Sequence, residues 1–134
     1  FAKTVEDSDK ATCMEILEYA TKKNPKFGTV ECLNFAIFST QDEHPRVKWE
    51  SAKVIGNTIS LFPKKVSLAA VSLFENAANG GTVVRWSSAY ALGEILKLKT
   101  KYNSKFLPII EKIAQNEKKE SIKKIYRKSL KSIG

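Results

Sequence analysis

An all-α fold of stacked helix pairs is predicted by three features of this 134-residue sequence. Apolar residues recur at helical spacing along the whole chain. No segment carries the sustained apolar-polar alternation or β-branched enrichment of a strand. An eleven-residue segment also returns, in altered form, 37 positions after its first appearance. With 43% apolar residues the chain has ample material for one continuous core, so a single domain over 1–134 is expected.

Seven helices follow in order. The first is expected from about Ser8 to Lys22, with Cys13, Ile16, Leu17 and Ala20 on one face, until Asn24-Pro25 breaks it. The second covers about Thr29 to Ser39. A third opens near Asp42, accepts Pro45 in its first turn where no amide partner is lost, and reaches Leu61. Pro63 starts the fourth, whose stripe of Val66, Ala70, Leu73, Phe74 and Ala77 ends at Asn79-Gly80-Gly81. The fifth spans about Thr82 to Leu98. Ser104 is the expected cap of the sixth, with Pro108 in its opening turns, and the seventh runs from about Ser121 to the end.

The third and fifth helices match residue by residue. VKWESAKVIGN from Val47 aligns with VRWSSAYALGE from Val84, pairing Trp49 with Trp86, Ala52 with Ala89 and Gly56 with Gly93. A period of this length with two helices per unit reads as stacked pairs that bury one shared core. These segments resemble the second helix of a HEAT repeat. The resemblance implies a right-handed α-α superhelix, or solenoid, of about three HEAT-like pairs with the first helix flanking them. IKKIYRKSLKSI from Ile122 matches more loosely, with Arg127 at the small-residue position and Lys131 at the glycine. Its narrow apolar stripe (Ile122, Ile125, Tyr126, Leu130, Ile133) and cationic remainder suit a terminal repeat with a solvated outer face.

Composition narrows the function classes. Cys13 and Cys32 lie in separate helices and form no metal or redox spacing, which suits core residues in a reducing compartment. No apolar run approaches the roughly 18 residues of a membrane span, and the N-terminal FAKTVEDSDK is too polar for a secretory signal. A soluble cytoplasmic protein is expected, although a chain that begins at Phe1 leaves targeting open. The net charge of +9 is unevenly placed. Eleven basic and eleven acidic residues balance up to position 95, whereas twelve basic and three acidic residues follow it. Such asymmetry suits an anionic partner or a strongly solvated end.

On the third helix, Val47, Ala52, Val54, Ile55 and Ile59 form an inward arc, leaving Trp49, Glu50, Lys53 and Asn57 opposite. The fifth repeats this division, with Val84, Ala89, Ala91, Leu92 and Leu96 inward and Trp86, Ser87, Tyr90 and Glu94 outward. In HEAT-like repeats these outward positions line the concave surface, so the resemblance implies a strip of Trp49, Glu50, Lys53, Asn57, Trp86, Ser87, Tyr90 and Glu94, with Lys124 and Lys128 at the corresponding places in the seventh helix. Repeated large aromatics in a groove suit contact anchors, while stacking between helices is the competing role for the two indoles. For Lys48 and Arg85 the resemblance implies bracing of the turn between helices.

The expected function is a non-catalytic scaffold that holds a protein or peptide in this groove. Nucleic-acid binding through the basic C-terminal third is the alternative. HEAT-like DNA alkylation-repair proteins are its precedent, but they carry a catalytic carboxylate where this chain has Lys53 and Tyr90; Glu50 and Glu94 are expected as solvated or paired charges. His44 stands alone in a turn, and Gly80-Gly81 lacks a following Gly-Lys-Ser, so neither a catalytic triad nor a phosphate loop is supported. No cofactor, metal, membrane or small-molecule substrate is expected.

Overall fold

The computed structural model describes residues 7–133. Among these the chain is all-α, with seven α-helices: α1 (Asp7–Lys23), α2 (Val30–Ser39), α3 (Pro45–Thr58), α4 (Val66–Asn79), α5 (Thr82–Lys97), α6 (Asn103–Asn116) and α7 (Glu120–Ile133). Each expected helix is present, and the differences are local. Pro45 is the first residue of α3 rather than a guest in its first turn, because it lacks the amide that a helix interior needs. Ile59–Leu61 and Pro63–Lys65 tighten into 3-10 turns between α3 and α4, so the fourth α-helix begins three residues after Pro63. Ser104 lies inside α6, and Tyr102 holds the cap position.

The helices make contact in two rows. α1, α3, α5 and α7 touch in succession, while α2 packs on α3 and α4, and α4 packs on α5 and α6. The core fills the space between the rows. Every inward residue expected on α3 and α5 is buried there, joined by Ala69, Ala70 and Leu73 of α4 and by Phe106 and Ile110 of α6. At one end of this core Phe74 meets Phe106 edge to face, with ring centroids 5.5 Å apart.

Two close approaches depend on the repeated glycine. A β-carbon at Gly56 would lie 2.3 Å from the Tyr90 ring, and one at Gly93 would lie 2.3 Å from Ser129 Oγ. Each glycine therefore opens a notch for the next helix of its row, which accounts for its return in both copies.

α1 departs from its expected phase. Ala11, Met14 and Thr21 are buried, whereas Ile16 is 62% exposed. As the first helix of its row α1 packs chiefly on α3, so a narrow stripe is enough, and its second apolar arc faces outward.

Candidate functional site

α1, α3 and α5 together form a depression of about 100 Å³ lined by Glu18, Lys22, Lys53, Asn57, Trp86 and Tyr90. Its floor is a chain of hydrogen bonds. Tyr90 Oη donates to Asn57 Oδ1 at 2.6 Å, and Asn57 Nδ2 donates to the Glu18 carbonyl at 3.1 Å and to Thr21 Oγ1 at 3.2 Å. One asparagine thus ties three helices together. Burial first, and then the Glu94 and Glu18 charges, push the Tyr90 phenol up to about 12, so at neutral pH it is a fixed neutral donor.

Trp86 stacks on Tyr90 with centroids 6.4 Å apart and planes 18° from parallel, yet it stays 40% exposed. The ring below it is held in the Gly56 notch and by its hydroxyl. An exposed indole on an anchored base has little freedom to lose on binding, which favours affinity. Trp49 occupies the matching place on α3, where it is half-buried and does not line the depression.

The other expected strip residues divide. Lys53 is half-buried and already engaged, 3.1 Å from Glu50 Oε1 and 3.6 Å from Glu18 Oε1. Glu94 pairs with Lys97 at 2.8 Å on the surface. Glu50 and Ser87 depart from the expectation, because both are buried rather than open to a ligand, while Asn57, nearly as covered, still lines the floor of the depression. The reason is geometric. A helix in the middle of a row is covered on both flanks as well as below, so its solvent arc is narrower than the half-helix that apolar spacing suggests. Of the two expected alternatives Glu50 takes the paired one, with Lys53 as its partner, but as a buried rather than a surface carboxylate.

Lys124 and Lys128 are both exposed on α7, but they are not equivalent. Ile122, Tyr126 and Ser129 are the buried side of that helix. At about 100° per residue, Lys124 points away from this side, whereas Lys128 lies between the outer face and the strip. The basic face therefore turns off the end of the row instead of continuing the depression.

Ionic clasps brace the turns. Arg85 reaches Glu117 with two hydrogen bonds, Nε to Oε1 at 3.0 Å and Nη2 to Oε2 at 3.2 Å, and Nη1 donates to the Gly80 carbonyl at 3.1 Å. Burial is the largest influence on Glu117 and would raise its pKa. The bonds from Arg85 and the Lys119 amide, with the Arg85 charge, outweigh it and hold the carboxyl below the usual range. Lys10 and Asp42 form the same device at the other end of the row, at 2.8 Å. Both acids also accept an amide two residues ahead, from His44 and Lys119. Lys48, in the Arg85 position, meets the neutral Asn76 Oδ1, at 3.5 Å, and among the described residues forms no ion pair.

Glu18 and Lys22 were not anticipated, because α1 carries no copy of the motif. The clasps did leave a signal in the sequence, since both partners are 32 residues apart and each acid stands three residues before a helix start.

Larger hollows lie outside the strip, among them one of about 320 Å³ between α6 and α7. Another of about 620 Å³ sits beside Arg85 and the C-terminal ends of α4 and α6, and one of about 700 Å³ is walled by Phe38, Leu68 and Val71 of α2 and α4. Among the described residues no group of three or more His, Cys, Asp or Glu could hold a metal ion, and no helix is long and apolar enough to cross a membrane. No family model, curated protein or solved structure matches this chain.

Proposed function

We propose that this chain is a non-catalytic binding module, a short right-handed solenoid of HEAT-like pairs that holds a protein segment across α1, α3 and α5. The succession of odd-numbered helices in one row and even-numbered helices in the other supports the solenoid reading. The observation that carries the binding role is the exposed Trp86 platform, stacked on a Tyr90 that Asn57 anchors. Aromatic anchors of this kind dominate protein-protein contacts. Because Glu18 and Glu50 already engage Lys53, the strip offers stacking and apolar contact more than free positive charge. Its ligand is accordingly a segment with an aromatic or bulky apolar residue that lies on the indole.

Selection of a random peptide library against the whole chain tests this reading. Recovered peptides should lose at least tenfold in affinity against Trp86→Ala, while the variant melts within a few degrees of the parent. Peptides that bind Trp86→Ala as well as the parent, or no saturable binder at all, would overturn it.

A further inference from the structure

We propose that the outward face of α7 is a separate, sequence-independent surface for nucleic-acid phosphates. Lys124, Arg127, Lys128 and Lys131 are all exposed and follow one another at i, i+3, i+4 and i+7, opposite the seam that Ile122, Tyr126 and Ser129 make with the rest of the fold. With a rise of about 1.5 Å per residue, this stripe extends roughly 10 Å. Exposed Lys118 and Lys119 continue it past the N-terminal end of the helix.

The face carries more charge than a solvated end requires. Among the described residues only Arg127 of these six has an acidic partner, Glu120. The opposite end of the row provides the contrast, since the exposed residues of α1 mix Asp9 and Glu15 with Lys22 and Lys23. Mixed signs would solubilise α7 equally well, and a single-sign stripe costs self-repulsion that an anionic partner relieves.

Apolar content separates the two commonest polyanions. A helix that lies on an anionic membrane inserts bulky apolar side chains. Among the described residues that follow Ile109 in the chain, no large apolar side chain is strongly exposed. Flexible lysines without an apolar face suit phosphates on a nucleic acid, where such contacts position the protein without reading sequence.

Fluorescence anisotropy of the whole chain with a labelled random-sequence duplex, at about 50 and 200 mM salt, tests the proposal through the salt dependence that counterion release imposes. Saturable binding is expected at the lower salt and should weaken at least tenfold at the higher. A variant with Lys124→Glu, Lys128→Glu and Lys131→Glu should bind at least tenfold more weakly, and the Lys→Gln triple variant should reproduce most of that loss should charge reversal disturb folding. Trp86→Ala should bind within twofold of the parent, which keeps this surface distinct from the strip. Three outcomes would sink the proposal: an unaffected triple variant, an equal loss from Lys22→Glu with Lys23→Glu, or binding to anionic vesicles without binding to the duplex.

Discussion

α3 and α5 carry the same motif and bury the same apolar set, yet different groups enter their glycine notches. Above Gly56 lies the ring of Tyr90, and above Gly93 lies the hydroxyl of Ser129. The glycine admits a neighbour in both copies; the neighbour decides what the surface becomes. A tyrosine brings an aromatic platform and a buried hydroxyl to the α3–α5 contact, while a serine leaves the α5–α7 contact plain. Their basic positions differ in the same way, because Arg85 meets a carboxylate and Lys48 a neutral amide. A repeat thus supplies the scaffold, and individual departures from it build the site.

The largest expected effect breaks the Arg85–Lys48 comparison. Glu117 has a side chain only 2% exposed, so Arg85→Ala strands a buried charge and should cost about 3 kcal/mol. Lys48→Ala removes a long contact to a neutral group and should cost about 0.5 kcal/mol or less. Chemical denaturation of both variants measures the difference, and equal losses would mean that the clasp carries no special weight. The acid side gives a second reading. Glu117's folded pKa lies below its unfolded value, so its contribution is present above the unfolded pKa of about 4.3 and is lost as pH falls through the folded one. Arg85→Ala should flatten the loss of stability that sets in as pH falls below the unfolded value.

The same two helices show what a sequence can and cannot disclose. Val47, Ala52, Val54, Ile55 and Ile59 were legible as core, as were their counterparts on α5, because burial beneath a helix follows a simple period. Flanking burial follows no such period. Ser87 and Glu50 look outward on a helical wheel but are covered by neighbours in the row. Trp86 and Tyr90, four residues apart on one helix, could be placed on the strip, but the Asn57 tie runs on to α1, whose core face is hard to read because two weak apolar arcs compete there. Lys124 was carried onto the strip by alignment. At the end of a row the aligned position faces solvent.

Substituting alanine at each notch sharpens the comparison. Gly56→Ala would drive a β-carbon into a ring that is held from both sides, an overpacking cost of about 2 kcal/mol, partly offset by about 1 kcal/mol of helix propensity. Gly93→Ala meets the single hydroxyl of Ser129, which can turn aside at the cost of its bond to the Ile125 carbonyl, so propensity should cancel part of the clash and leave a smaller loss, of about 1 kcal/mol or less. Thermal melts of both variants check the order. A double variant with Tyr90→Ala should recover part of the Gly56→Ala loss, because contacting residues are not additive; strict additivity would place the ring elsewhere.

The smallest effect separates the tyrosine ring from its hydroxyl. Tyr90→Phe keeps the ring in the Gly56 notch and beneath Trp86, but leaves Asn57 Oδ1 without its 2.6 Å donor, at a cost of about 1 kcal/mol. In the parent, burial pushes the folded phenol up to about 12, above the unfolded value of about 10. Its stabilising share is therefore complete below pH 10 and declines as pH rises through the folded value. Ultraviolet titration of the phenols should show one fewer late-ionising group in Tyr90→Phe. If the variant also keeps peptide affinity within threefold of the parent, stacking alone supports the platform; a larger loss would mean that the tie to α1 sets the angle at which Trp86 meets its ligand.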